Sequence, residues 1–173
     1  MSAKRSVFGL LSLMLAVVVA IFFAGSPAQA ATSSSRAASV ASRPSTGNQI
    51  LIAPAAPAGL RSAAVHPDAV APTTSPSVST SHAASGTAYT CYSGDLCAVA
   101  WDPTTSSWKI FYLYECELYS LSYWSGDGNY YDNQSSSAHS YFYGESGNVL
   151  SSFYPQYTNV AYDWTPVYSI RNC

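Results

Sequence analysis

Residues 97–114 have the sequence CAVAWDPTTSSWKIFYLY, and this stretch decides the fold class. Two runs rich in β-branched and aromatic residues, 97–101 and 108–114, flank the polar segment 102–107. Such runs have strand chemistry, and Pro103 suits the second position of a turn between them. The stretch therefore predicts an antiparallel β-hairpin.

The following sequence extends this pattern. Residues 140–143 and 149–153 flank Gly-Glu-Ser-Gly-Asn, whose glycines permit positive φ, so a second hairpin is expected. Residues 163–170 predict a final strand, with Pro166 at an edge or a bulge because proline cannot donate to a ladder. No long segment has a clean 3.6-residue apolar period. The sequence therefore predicts an all-β fold, a small sandwich or partly open barrel.

Aromatic residues are unevenly distributed along the chain of 173 residues. All 14 tyrosines and all four tryptophans lie in residues 89–173, whereas residues 31–88 contain no aromatic residue. Residues 31–87 are mostly Ala, Ser, Thr and Pro with few charges, so little apolar area offsets chain entropy. We therefore predict a disordered linker or pro-segment over 31–87 and one β domain over 88–173.

The first 30 residues have the features of a secretory signal peptide. Lys4 and Arg5 form a basic head, residues 7–24 form an apolar run, and Ala28-Gln29-Ala30 is a small-x-small cleavage signature. An uncleaved anchor is the alternative, because 18 largely apolar residues could just span a bilayer. We expect cleavage after Ala30, hence a secreted, extracellular protein with no membrane contact afterwards.

Four cysteines, Cys91, Cys97, Cys116 and Cys173, are the only ones in the chain. In an exported protein they predict two disulfides, which a domain of this size needs to supplement a small core. Three pairings are open. We favour Cys91–Cys97 across the turn at 93–95 and Cys116–Cys173, which ties the C-terminal residues to the middle of the domain. A zinc site is disfavoured by the cysteine spacing.

The predicted domain is strongly acidic. Residues 88–173 contain eight Asp and Glu residues against Lys109 and Arg171, a net charge of minus six. Phosphate backbones are repelled by such a surface, and stacking of bases needs a basic groove. We therefore expect no nucleic-acid partner.

Candidate catalytic groups are few. His139 is the only histidine in residues 88–173, and it has no evident partner for acid–base work. Glu115 and Glu117 flank Cys116, and on a strand they would share a face as a glycosidase-like carboxylate pair, but that spacing is commonplace. We expect a protein that is not an enzyme. The tyrosines and tryptophan at positions 112, 114, 119, 123 and 124 supply either a binding face or the core.

The hexapeptide DNQSSS, residues 132–137, contains a candidate metal site. It resembles the βγ-crystallin motif Asn/Asp-Asn/Asp-x-x-Ser/Thr-Ser, with Asp132, Asn133, Ser136 and Ser137 at the defined positions. The resemblance implies a small Greek-key, crystallin-like sandwich in which these oxygen-bearing residues help to bind calcium. A hydrogen-bonded turn is the alternative, because the only second copy, at 147–152, is poor. No other cofactor is expected.

A wider resemblance covers residues 91–173, about half of the chain. It rests on CYSGDLC at 91–97, WKIF at 108–111, Cys116, YSL at 119–121, WSGDG at 124–128, Asn133-Gln134, WTPV at 164–167 and RNC at 171–173. In this order the segments resemble the secreted actinobacterial metalloproteinase inhibitors, which have a crystallin-like fold. The resemblance implies a monomeric, non-catalytic inhibitor of an extracellular protease. A calcium-stabilised structural module and a secreted toxin or carbohydrate-binding module are the alternatives.

Overall fold

A computed structural model describes residues 47–58 and 68–173 of the protein. Within these residues the chain forms twelve β-strands and no helix, so none is long and apolar enough to cross a membrane. The all-β prediction is confirmed, whereas the predicted signal peptide lies outside the described residues. The strands are β1 (Gln49–Ile52), β2 (Thr73–Ser75), β3 (Ser79–Ala83), β4 (Ala88–Cys91), β5 (Leu96–Asp102), β6 (Ser107–Leu113), β7 (Leu118–Ser122), β8 (Asp127–Asp132), β9 (Ser140–Tyr143), β10 (Val149–Phe153), β11 (Val160–Asp163) and β12 (Ser169–Arg171).

Ten of these strands form two antiparallel sheets. Sheet I has the order β10-β9-β12-β7-β2, and sheet II has the order β11-β8-β5-β6-β3. Strands β1 and β4 pair separately as a two-stranded ribbon. The domain therefore has two five-stranded sheets and one ribbon.

Strand β5 is the centre of sheet II and is buried along its whole length. Leu96, Ala98 and Ala100 contact a core shared with Phe142 and Ile170 of sheet I. The alternate residues of β5 face the opposite way, because side chains alternate along a strand. There Cys97, Val99 and Trp101 pack with Tyr89 and Cys91 of the ribbon strand β4. Sheet II is therefore covered on both faces.

Both predicted hairpins are confirmed. Strands β5 and β6 are antiparallel with Trp101 opposite Trp108, and the two indole rings meet edge to face at 5.2 Å between centroids. Strands β9 and β10 are also antiparallel, with a register shift between Val149 and Ser151. The polar segments between the strands form the turns, as their composition indicates.

The predicted single strand at 163–170 is wrong. Strand β11 ends at Asp163 in sheet II, and β12 begins at Ser169 in sheet I, so the intervening residues cross between sheets. The crossing begins with a local turn, because the Thr165 amide donates to the Asp163 side chain at 2.9 Å. Pro166 then interrupts any continuous ladder, since it has no amide hydrogen.

Trp164, at the start of this crossing, reaches the central strand. Its Nε1–H donates to the carbonyl oxygen of Val99 at 2.9 Å, and the side chain is fully buried. Gly128 lies beside this hydrogen bond, and a Cβ added at Gly128 would clash with both the Val99 carbonyl oxygen and Trp164 Nε1. A side chain at position 128 would therefore displace the indole from the strand.

The expectation that residues 31–87 are disordered is wrong for the described part of that segment. Strands β1, β2 and β3 all come from it, and β2 and β3 form the edges of sheets I and II. The segment also supplies acceptors: Trp108 Nε1 donates to the Pro54 carbonyl at 2.8 Å, and Trp124 Nε1 donates to Thr73 at 2.9 Å. The folded unit therefore begins well before residue 88.

This organisation predicts the outcome of truncation. A chain that begins at residue 88 lacks the ribbon strand β1 and the edge strands β2 and β3. It also lacks the carbonyl acceptors of two indole N–H groups, and each buried N–H left without an acceptor costs about 1–3 kcal/mol of stability. We expect a chain beginning at residue 47 to melt cooperatively and one beginning at residue 88 to lack a cooperative transition. Limited proteolysis of the full chain, followed by N-terminal sequencing, should give a resistant fragment that still contains β1. A stable fragment starting near Tyr89 would contradict the role of these strands.

Candidate functional site

The two disulfides pair as predicted. Cys91–Cys97 links β4 to β5, and both cysteines are buried in the core beneath the ribbon. Cys116–Cys173 links the connection between β6 and β7 to the last residue of the sequence, and Cys116 is exposed. The first bridge therefore fastens the ribbon to sheet II, and the second holds a surface segment.

The surface segment held by Cys116 consists of residues 114–118, here named the pinned loop. All five residues are exposed, including Tyr114 at 65% and Leu118 at 48% of their free surface. Glu115 and Glu117 lie in a bend of this loop. The two glutamates would share a face only on a strand, and that condition is not met, because β6 ends at Leu113 and β7 begins at Leu118.

Asn172 fixes the backbone of the pinned loop by hydrogen bonds. Its Nδ2 group donates to the carbonyl oxygens of Leu113 at 2.8 Å and Glu115 at 3.0 Å, and its backbone amide donates to Glu117 at 3.0 Å. The Tyr119 hydroxyl adds a bond of 3.1 Å to the Glu115 carbonyl. Asn172 is fully buried, so the loop carbonyls are fixed by the interior of the domain while the loop side chains face solvent.

Tyr114 lies where three surface clefts meet, since it lines each of them. Its ring packs over the backbone of Gly94, where a Cβ would come within 2.9 Å of the ring. Gly94 has a φ of 97°, which favours glycine in any case. The other members of the predicted aromatic cluster separate: Tyr119 and Trp124 join the core, Tyr112 is half-buried and Tyr123 is exposed.

Asp95 lines one of these clefts beside Tyr92, Tyr112 and Tyr114. Only 6% of its surface is exposed, and its carboxylate accepts no hydrogen bond from the described residues. Burial raises the pKa of Asp95 to about 6. The group is held in place by its backbone, because its amide donates to Tyr92 and its carbonyl accepts from Asn133.

The two histidines within the described residues have structural partners. His139 Nδ1 is 2.8 Å from the Tyr141 hydroxyl, and its ring stacks on Tyr154 with centroids 4.2 Å apart. His82, which the sequence placed in the linker, belongs to β3, and its Nε2 lies 3.0 Å from Asp102 Oδ2. Burial alone would raise the pKa of Asp102, but hydrogen bonds from Thr104 and His82 outweigh burial and lower the pKa. This pair joins the edge strand β3 to the β5–β6 turn.

The DNQSSS segment begins at the end of β8. Asp132 and Asn133 are buried, whereas Ser136 and Ser137 are exposed, and Ser137 Oγ lies 3.3 Å from Ser135 Oγ. Asn133 Nδ2 donates to the carbonyl oxygens of Gly47 and Cys91. Asp132 Oδ1 accepts from the Gln134 amide at 3.1 Å. The segment is therefore a hydrogen-bonded turn that also ties β8 to the ribbon.

Two oxygens of this turn bear on calcium binding. Asp132 Oδ2 and Asn133 Oδ1 are buried and have no hydrogen-bond partner. Calcium takes six to eight oxygen ligands, so carbonyl or hydroxyl oxygens would have to complete the shell. In the described part of the chain, no three His, Cys, Asp or Glu side chains are grouped closely enough to hold a metal ion. The turn thus offers two free oxygens but only one carboxylate.

Comparison of the chain with protein-family models, with curated proteins and with solved structures finds no significant match in any of the three. The features of the molecule that bear on function are the pinned loop, its neighbouring clefts and the DNQSSS turn.

Asp132 predicts a dependence of stability on pH. Burial raises its pKa to about 7 from an ordinary value of 3.8, so the folded chain keeps a proton that the unfolded chain releases. The contribution of this proton to stability is complete below pH 3.8 and is lost as the pH rises to about 7. In metal-free buffer, Asp132→Asn should raise the free energy of unfolding at pH 8 by roughly 2 kcal/mol, because the neutral amide removes the buried charge.

Urea denaturation from pH 4 to pH 8 measures this effect. Asp127→Asn, at the exposed start of the same strand, is the matched control and should follow the parent chain. Asp95 also has a raised pKa and changes stability in the same direction, so some pH dependence should persist in Asp132→Asn. Equal stability of Asp132→Asn and the parent chain at pH 8 would show that Asp132 is not buried in its charged form.

Proposed function

We propose that this protein is a secreted, non-catalytic inhibitor of an extracellular protease, with metalloproteases as the first class to test. The observation that supports the proposal is the pinned loop: five consecutive exposed residues fixed by Cys116–Cys173 and by three hydrogen bonds from Asn172. An inhibitor must occupy a protease cleft without losing its own shape. A segment fixed at its carbonyls and free at its side chains meets that requirement.

The energetic reason is preorganisation. Ordering the backbone of a flexible residue costs about 1–2 kcal/mol, so a five-residue loop that orders only on binding loses much of its affinity. In the pinned loop this cost is met during folding rather than during association. The loop also displays Tyr114, and tyrosine is among the residue types enriched at the energetic centres of protein interfaces.

Other features of the domain support parts of the proposal. Two disulfides suit an oxidising, extracellular location. Two antiparallel sheets with a shared core are compatible with the proposed crystallin-like, Greek-key arrangement of the resembling inhibitor family. The non-catalytic assignment rests on the engagement of the candidate nucleophiles and bases: the cysteines are cross-linked, and His139 is bonded to Tyr141.

Titration of proteases with the chain from residue 31 onward tests the proposal. Residual activity of metallo-, serine and cysteine proteases is measured against increasing protein concentration, and we expect stoichiometric loss in one class. Tyr114→Ala should weaken inhibition by about 30-fold, as for a central interface residue. Asn172→Ala should weaken it by about 10-fold, because the loop then orders only on binding.

The control for the loop is Tyr168→Ala, which removes a comparably exposed ring (48%) near the opposite end of β7 and should inhibit like the parent chain. Near-ultraviolet circular dichroism confirms that each variant is folded. Full inhibition by Tyr114→Ala would exclude the pinned loop as the contact, and absence of inhibition in every class would refute the inhibitor function.

Calcium binding by the DNQSSS turn is a second candidate function, favoured by the unpartnered oxygens of Asp132 and Asn133. We infer that these two residues, with oxygens of the neighbouring serines, would hold the ion, and that calcium would neutralise the carboxylate of Asp132. A structural calcium ion would stabilise the folded chain according to its concentration relative to the dissociation constant.

Thermal melting with and without calcium checks this second function. We expect 10 mM calcium to raise the Tm of the parent chain by roughly 5 °C, the effect of about 1 kcal/mol in a domain of this size. The same concentration of magnesium should have a smaller effect, because magnesium demands a stricter geometry. Asp132→Asn should show no calcium-dependent shift. Identical melting curves of the parent chain in calcium and in chelator would rule out a calcium site.

A further inference from the structure

The cleft beside the pinned loop is lined by aromatic rings on a fixed framework. Here named the tyrosine cleft, it has a volume of about 530 Å³ and is lined by Tyr92, Tyr112 and Tyr114. The ring centroids of Tyr92 and Tyr112 are 5.4 Å apart, and the two ring planes are inclined at 55°. The Tyr112 hydroxyl is 2.6 Å from Ser81 Oγ. Tyr114 rests on Gly94. The ring positions are therefore set by folding rather than by a ligand.

Asp95 gives the tyrosine cleft its chemical character. Its side chain lines the cleft, is more than nine-tenths buried, and has no hydrogen-bond donor or counter-ion among the described residues. The carboxylate oxygens are not fully buried, so they are open to the cleft and can be reached by a ligand. A cationic hydrogen-bond donor would complement this carboxylate.

The charges around the cleft also favour a cation. Glu115 and Glu117 lie on the adjoining pinned loop. Neither Lys109 nor Arg171 lines the cleft: Lys109 Nζ donates to the Pro72 carbonyl at 2.9 Å, and Arg171 belongs to β12 in sheet I. A cation entering the cleft would thus meet negative charge and aromatic faces, a combination that stabilises it by ion pairing and by cation–π contact.

We propose that the tyrosine cleft binds an arginine side chain of the protein partner, next to the contact made by the pinned loop. The guanidinium group is planar, so it can stack on a tyrosine ring while donating two parallel hydrogen bonds to the Asp95 carboxylate. Lysine lacks the planar group, and a neutral sugar would leave Asp95 without a counter-ion. The identity of the partner rests on the proposed inhibitor function, whereas binding of the side chain itself can be tested alone.

The direct test uses the full chain from residue 31 with both disulfides intact. Nuclear magnetic resonance follows the ring signals of Tyr92, Tyr112 and Tyr114 and the carboxyl signal of Asp95 during titration with Nα-acetyl-arginine methylamide. We expect saturable shifts with a Kd on the order of 1–10 mM, as befits a single side chain. Nα-acetyl-citrulline methylamide has nearly the same shape without the charge and should bind at least tenfold more weakly.

Variants separate the charge from the rings. Asp95→Asn should weaken arginine binding at least tenfold, and Tyr92→Leu, which keeps the carboxylate, should weaken it severalfold. Glu145→Gln removes one negative charge from the exposed β9–β10 turn and should bind like the parent chain. Equal affinity for the arginine and citrulline compounds, or shifts that do not saturate, would overturn the proposal.

The same variants distinguish failure of this inference from failure of the inhibitor function. If Asp95→Asn loses arginine binding and also inhibits its protease about tenfold less well, the cleft takes part in the protein contact. If it loses arginine binding but inhibits fully, the arginine does not come from the protease and the inference fails. If the parent chain binds arginine but inhibits no protease, the inhibitor function fails and the arginine site stands with a partner of another class.

Discussion

Burial of β5 on both faces is the constraint on which the rest of the structure depends. One sheet cannot cover both faces of its own central strand, so sheet I covers one face and the ribbon covers the other. The bond from Trp164 Nε1 to the Val99 carbonyl extends this arrangement, because it joins the crossing between sheets to the same strand. The site is built outward from this frame: β5 begins beside Asp95, and its hairpin partner β6 ends beside the pinned loop.

The ribbon and the edge strands show why part of the fold was missed in the sequence. Strands β2 and β3 have the sequences TTS and STSHA, with hardly any apolar residue, and they are held largely by pairing with β7 and β6. Such strands have no hydrophobic period of their own, so composition makes them resemble disorder. The two hairpins were predictable because each contains its apolar runs and its turn within about 20 residues.

The candidate site was predictable only where the signal was local. The four cysteines predicted two disulfides, and of the three open pairings the favoured one was confirmed. The DNQSSS segment was recognisable by its residue types. The clamp by Asn172 was not, since it depends on carbonyls that lie more than 50 residues away in the sequence. The sequence also could not predict that the Asp95 carboxylate has no hydrogen-bond donor, because this depends on which side chains surround the carboxylate in the folded chain.

The Cys116–Cys173 bridge also determines how the domain would respond to mechanical tension. A force applied between the N-terminal side and Cys173 passes through the disulfide to Cys116, so the residues between the two cysteines carry no load. Six strands, β7 to β12, lie in that protected interval. Strands β1 to β6 lie outside the interval and bear the tension, and we expect β1, β2 and β3, which come first in the chain, to separate from β4, β7 and β6 before the remaining strands do.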